Sequence, residues 1–368
     1  MSEFLAPTEG LHRWVVELFD AAGSNPTEAR LAADHLVGAN LAGHDSHGVG
    51  MVPRYVNSLL TGDLVLNQSI AVAHDVGSML IVDGQRGLGQ SVAYQAMEKG
   101  IERARESGLA LVGLRNAHHI GRVGHWAEQA IGAGLASIMF TSAMGHAFLV
   151  APHGGAKARF LTNPFTVGVP RRDGEPLVLD FATSAIAHGK ARVAYNKGVD
   201  LPPGSAIDAE GEPTNDARVM FDEPMGALRT FAGHKGYALA MIVELLGAAL
   251  TGGDTMRPDT MPKGWGVYNH LLAILFDPDK LGTRDRFEAE TSAFIDWVQS
   301  AEPNSIGREL GGILIPGDPE RRTRAARAEQ IPIDAGTMAQ LDQAAAQIAQ
   351  ARDGRGPGAL SPACRKIS

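Results

Sequence analysis

"GQRGLGQSV", residues 84–92, decides what kind of sheet this chain builds. It follows a short apolar run, 79–82, that reads as a strand. It opens a stretch, 90–107, with Val92, Met97 and Ile101 at helical spacing. A second apolar strand, 109–114, comes next. Strand, glycine turn and helix in this order invite a dinucleotide fingerprint, G-x-G-x-x-G. Counted from Gly87, however, the pattern is G-x-G-x-x-V, with Val92 where the third glycine belongs. That glycine lets helix and strand pack closely, and a valine obstructs the approach. The stretch therefore reads as an ordinary strand-to-helix turn.

Working outward, 135–140, 166–169, 177–180, 271–276 and 313–315 read as further strands. The polar turn 171–175 makes a hairpin of two of them. Asn25, Pro26 and Glu28 have the order of cap, first residue and capping-box acid, so a helix runs from there to about Ala42, with Gly43 as its stop. Helices are also expected at 125–133, 235–250, 286–299 and 334–351. The fold class that follows is α/β (α+β) with a mixed sheet. Residues 353–368, polar and marked by Pro and Gly, read as a flexible tail.

The 368 residues carry a net charge of −8, which argues against a nucleic-acid partner. One cysteine, Cys364, allows neither an internal disulfide nor a thiolate metal site. No apolar window is long enough to span a membrane, and the start lacks the pattern of a signal peptide. A cytoplasmic protein is the expectation.

The chemistry-bearing residues gather in a few stretches. "HDSHGVGMVPRYV", 44–56, places His44, Ser46, His47, Met51, Arg54 and Tyr55 directly after the helix. "RNAHHIG", 115–121, puts His118 and His119 just past a strand, where loops hold catalytic groups. A histidine near its ordinary pKa of about 6.5 suits proton exchange with a carbonyl oxygen. "GHKGYALAMIVELL", 233–246, opens a helix with His234 and Lys235, where backbone N–H groups and the dipole favour an anion. "LDFATSAIAHGK", 179–190, sets Asp180, Thr183 and Ser184 at a strand end. The histidines stand at no familiar metal-ligand spacing, and no metal is expected. A P-loop fails at Ala191, and no serine nucleophile elbow occurs.

Taken in order, "DSHG" with "PRYV", "RNAHHIG", "TNPF", "LDFATSAIAHGK", "GHKGYALAMIVELLGAALTGG" and "IPGDPE" resemble the malate/L-lactate dehydrogenase family of the second type, over about residues 10–350. The resemblance implies a non-Rossmann NAD(P)-binding fold. Its sheet is seven-stranded and largely antiparallel, flanked by helices, with a helical dimerisation domain built from both chain ends. Here that assigns 1–75 with 320–352 to the helical domain and 76–319 to the cofactor- and substrate-binding region. It implies a homodimer that uses NAD or NADP to interconvert a 2-oxo acid and a 2-hydroxy acid, or to reduce a cyclic imine such as piperideine-2-carboxylate.

Residue by residue, the resemblance puts the catalytic histidine on His119, with Ser46, His47 and Tyr55 beside it. It puts cofactor contacts on His47, Gly121, Arg122, Val123, Leu177, Val178, Leu179, Asp180, Phe181, His234, Lys235, Asn269, Gly311 and Gly312. Many relatives carry an arginine where this sequence has Met51. Arg122 or Arg54 is then the expected carboxylate anchor. An adaptable methionine in the pocket points to a bulky or aryl, phenylpyruvate-like substrate.

Overall fold

In the computed structural model, which describes residues 3–367, the strands Met79–Asp83 and Leu109–His118 are parallel neighbours, with Met79 opposite Leu111. Helix Gly89–Ser107 is the crossover between them. Its buried residues Val92, Ala93, Ala96, Met97, Gly100, Ile101 and Ala104 recur at one-turn spacing and face the sheet. Each large side chain so buried contributes about 1.5–3 kcal/mol. Close approach to the sheet occurs at Gly100, where a Cβ would stand 2.6 Å from Val112 Cγ2 and 2.8 Å from Leu275 Cδ1. The opening glycines serve another purpose. Val92 is fully buried and lies against Gly87, where a Cβ would stand 2.7 Å from its Cγ1.

Every other pairing in this sheet is antiparallel. Its seven strands run in the order Ala71–Val76, Met79–Asp83, Leu109–His118, Tyr268–Phe276, Ala136–Met144, Phe165–Val169, Leu177–Phe181. The mixed, largely antiparallel sheet is thus as expected, including the hairpin at 171–175. Helix Gly124–Gly132 packs on the strands at 136–144 and 165–181, and helix His234–Gly247 packs on Ala136–Met144.

A second core joins both ends of the chain. Helices Thr8–Ala22, Pro26–Leu41, Val52–Leu60 and Ala335–Ala351 bury Leu11, Leu18, Leu36, Tyr55, Leu341 and Ile348 together. The cap read from the sequence is present: Asn25 Oδ1 accepts from Glu28 N at 2.9 Å, with Pro26 in the first turn. A third, small core under helix His188–Lys197 and the three-stranded sheet of Ala206–Ile207, Pro213–Thr214 and Ala227–Leu228 holds Val150, Ala191 and Met220.

Two expectations are corrected. Residues 313–315 are not a strand; they are irregular backbone between a short helix, Ser305–Glu309, and helix Asp318–Ala326. Three apolar residues suggest a strand, but the segment meets the edge strand through the Pro316 carbonyl, which accepts from Val178 N at 3.2 Å, and forms no ladder with it among the described residues. Nor is 353–367 a loose tail. Leu360 is buried, Trp14 Nε1 donates to the Gly358 carbonyl at 2.9 Å, and Asp342 Oδ1 accepts from the backbone of Leu360 at 2.6 Å. The strand Arg365–Ile367 then pairs with Glu3–Leu5. Pro and Gly signalled irregular backbone, and irregular backbone can still be pinned by side chains.

Candidate active site

The crossover strand delivers its histidines through a bulge. Leu271 pairs with Leu114 but Asn269 with Ala117, so one extra residue is inserted near Asn116. Asn116 takes a left-handed φ of 53°. Its amide donates to Asp83 at 2.8 Å, and its N–H donates to His270 Nδ1 at 3.2 Å. A bulge bends its strand and re-aims the side chains beyond it. Here those are His118 and His119. Gly89 supports the same turn: a Cβ there would overlap the carbonyl oxygens of both histidines. Asn269 holds the turn from the next strand, its Oδ1 accepting from Ile120 N at 2.9 Å and its Nδ2 donating to Ser142 O at 3.1 Å. Expected as a cofactor contact, Asn269 is engaged in the backbone of the histidine loop.

The other histidine-bearing turn is wound round Asn40, at the end of helix Pro26–Leu41. Asn40 Oδ1 accepts from Val49 N at 2.8 Å and its Nδ2 donates to Asp45 at 2.6 Å; a side chain on Gly48 would overlap this amide. Helix Asp318–Ala326 and the residue after it clamp the turn. Glu320 meets His44 Nε2 at 3.0 Å, and Arg327 meets Asp45 at 2.7 Å.

The two turns face each other. The rings of His47 and His119 stack with centroids 5.6 Å apart. Ser46 Oγ lies 2.9 Å from His47 Nδ1. The fully buried Tyr55 places its hydroxyl 2.7 Å from His119 Nδ1. His119 is only 9% exposed, but its Nε2 has no hydrogen bond among the described residues and is not sealed. Burial above all, then the charges of His47, His118 and Arg54, hold His119 well below the ordinary histidine range. His47 is lowered to about 4, chiefly by burial, with Asp180 opposing. His118, sealed with neither nitrogen bonded, is lowered to about 3 for the same first reason. Burial and the Gln90 contact act in opposite senses on the Tyr55 hydroxyl, and burial prevails, raising its pKa.

The two candidate anchors differ sharply. Arg122 is buried and paired with Glu128, which Arg324 also grips at 2.8 Å. Its backbone N–H donates to His35 Nε2 at 2.8 Å, while its Nε and Nη1 lack partners. Arg54 has no ion pair or side-chain hydrogen bond among the described residues, and burial lowers its pKa. Its charge depresses His118, His119, His146 and His188 together. His188 begins helix His188–Lys197, whose Gly189 leaves no room for a side chain beside Ser46. Beyond it lie Phe221, 5.3 Å from the His188 ring, Tyr195, and the Arg192 guanidinium 3.7 Å above Phe221.

The remaining expected contacts divide. Asp180 lies beside the Gly121–Val123 turn: its Oδ2 accepts from Gly124 N at 2.7 Å and its Oδ1 from Thr166 at 3.0 Å. Gly121 has φ 75° and abuts His35, and Val123 is buried. Leu177, Val178 and Leu179 lead along the edge strand to Asp180 and Phe181, whose ring meets Phe231 at 5.3 Å, just before His234 and Lys235. Both of these side chains are exposed. Gly311 and Gly312 lie on a loop after Ser305–Glu309, and no backbone hydrogen bond among the described residues joins them to the histidine turns. Met51 is half-buried and packs on the helical core. Gln90 and His35 were not anticipated from sequence. Gln90 Nε2 donates to Tyr55 Oη at 3.0 Å.

Comparison with known proteins identifies the family. The family profile described as malate/L-lactate dehydrogenase matches residues 6–342. The chain is 48% identical over 340 residues to hydroxycarboxylate dehydrogenase B of Escherichia coli O157:H7, covering 92% of each. It is 40% identical over 318 residues to an L-lactate dehydrogenase of Cupriavidus necator, covering 86% of this chain and 90% of that one. A solved malate/lactate dehydrogenase structure from E. coli superimposes with a TM-score of 0.89 at 46% identity, over 94% of this chain and 95% of that one. No helix among the described residues is long and apolar enough to cross a membrane. A non-Rossmann sheet, two facing histidine turns and a family match along nearly the whole chain give one conclusion: the chain belongs to the malate/L-lactate dehydrogenase family of oxidoreductases.

Proposed function

We propose that this protein interconverts a 2-oxo acid and a 2-hydroxy acid by nicotinamide hydride transfer, with a bulky or aryl substituent on the acid. The observation that carries the reading is Arg54. A half-buried guanidinium with no acceptor among the described residues, its charge acting on four histidines held neutral, fits an arriving carboxylate. Arg122 is instead paired with Glu128 through Nη2. His119 exchanges the proton with the substrate oxygen through Nε2, and Tyr55, His47 and Ser46 orient it. A carboxylate on Arg54 cancels part of the charge that depresses His119, so binding itself raises the basicity of the group that handles the proton. The His188, Phe221 and Tyr195 rings offer a wall for an apolar substituent.

The residues present fit a nicotinamide dinucleotide. Arg122 Nε and Nη1 are buried donors without acceptors, beside Asp180 and a turn whose Gly121 and Gly124 let His35, Arg122 and Asp180 pack against the backbone. NAD or NADP bound there supplies the hydride; the chain supplies orientation and the proton. A homodimer is part of the same proposal. Helix His234–Gly247 and the turn after it expose Met241, Ile242, Leu245 and Leu250, an apolar face that a second copy would cover.

The test is NADH and NADPH oxidation with a panel of 2-oxo acids, phenylpyruvate and pyruvate among them. Turnover is expected, with aryl acids preferred, and His119→Ala is expected to lower it by roughly 10²- to 10⁴-fold. No turnover with either cofactor would remove the reading. Undiminished turnover in the variant would remove His119 from it.

A further inference from the structure

Gln90 stands in the first turn of helix Gly89–Ser107 and is 1% exposed. Its Nε2 lies 3.0 Å from Tyr55 Oη and 3.4 Å from the His119 carbonyl oxygen, while its Oε1 has no partner. The His119 carbonyl oxygen, which can only accept, fixes this orientation of the amide. Turned over, Gln90 would set its own oxygen against that carbonyl, and its buried N–H groups would have no acceptor. Tyr55 Oη therefore accepts from Gln90, and its own proton has to go elsewhere. His119 Nδ1, at 2.7 Å, is the short acceptor; the His119 carbonyl, at 3.5 Å, is at the limit of a hydrogen bond.

We infer that Gln90, acting through the Tyr55 hydroxyl, holds the neutral His119 ring in the tautomer that carries its proton on Nε2. A neutral imidazole whose Nδ1 accepts a hydrogen bond must be protonated on the other nitrogen. Nε2 is the atom left open to the cleft, so the free site presents an N–H donor. A carbonyl oxygen meets that donor directly. A substrate hydroxyl cannot give its proton to Nε2 until the ring has changed tautomer. The site is thus set for the oxo acid, the forming alkoxide taking the Nε2 proton as Nδ1 takes that of Tyr55, and Gln90 is a positioning residue that touches no reacting atom. The functional consequence rests on the proposed reading of His119 as the acid–base group; the tautomer itself does not.

The experiment is long-range ¹H–¹⁵N correlation on protein labelled with ¹⁵N-histidine near pH 7.5, with His119 assigned by its loss in His119→Gln. Wild-type protein is expected to show Nε2 as the protonated nitrogen and Nδ1 as the unprotonated one. Gln90→Met removes the donor at nearly the same volume, freeing the Tyr55 oxygen to accept from Nδ1–H, and a mixture of the two tautomers is expected. Gln90→Leu serves the same purpose if the methionine variant does not fold, and the wild-type spectrum needs no variant at all. A wild-type ring protonated on Nδ1 would overturn the inference. A wild-type pattern kept in the Gln90 variants would show that Tyr55 sets the ring unaided and would remove Gln90. Because the tautomer is read without turnover, its failure is separate from failure of the substrate panel.

Discussion

Replacing Arg54 with methionine separates a ligand anchor from a structural cation. The guanidinium has no acceptor among the described residues and sits where burial works against its charge. A hydrogen bond to a charged group contributes about 1.5–3 kcal/mol, and truncating one partner of a buried charge pair costs about 2–5 kcal/mol. Arg54 is only partly buried, so we take roughly 2–3.5 kcal/mol, or about a 30- to 400-fold fall in kcat/KM for the 2-oxo acid. The folded protein should not suffer. Arg54→Met removes a charge that burial disfavours, so Tm is expected to hold or rise. The histidines report the same change: Arg54 depresses His118, His119, His146 and His188, and each should titrate higher once it is gone. Steady-state kinetics, thermal melting and histidine NMR on one variant read all three. A kcat/KM within threefold of wild type, or a lower Tm with histidines unmoved, would refute the assignment.

Two further predictions concern the whole molecule. Buried His35, His118 and His270 are all held below their ordinary pKa, with burial the first cause in each. The folded state therefore binds fewer protons than the unfolded chain, whose histidines titrate near 6.5. The stability so held is present above about pH 6.5 and is lost as pH falls toward about 4, by up to about 1.4 kcal/mol per pH unit for each ring. Melting curves from pH 7 to 4.5 should show Tm falling steeply; a flat profile would contradict the burial of these groups. The homodimer predicts a solution mass near twice the chain's 38.8 kDa, and a monomer for the double variant I242D/L245D. Light scattering that finds wild-type monomer would discard that face as an interface.

Residues 84–92 were legible because the missing glycine has a direct steric meaning, and Val92 is buried against Gly87 as that meaning requires. The approach of Ser46, His47 and Tyr55 to His119 was legible only through family resemblance; spacing alone does not bring residues 64 apart together. Gln90 and His35 were invisible for a similar reason. Each looks like an ordinary helix residue, and each acts on a partner 35 or 87 positions away. The choice between Arg54 and Arg122 needed the ion-pair map, because Arg324, which shares Glu128 with Arg122, lies 196 residues from that glutamate. The bulge at Asn116 was hidden as well, since its one extra residue shows only against the register of Tyr268–Phe276.

The first strand, Glu3–Pro7, lies between Gln330–Asp334 and Arg365–Ile367, with Glu3 opposite Ile367. Residues 3 and 367 are therefore neighbours on one ribbon. Joining them by a short linker and reopening the backbone at the exposed 171–175 turn would give a circular permutant that preserves every strand pairing. In such a chain the helical core would be synthesised as one continuous segment, no longer waiting for its last third to arrive.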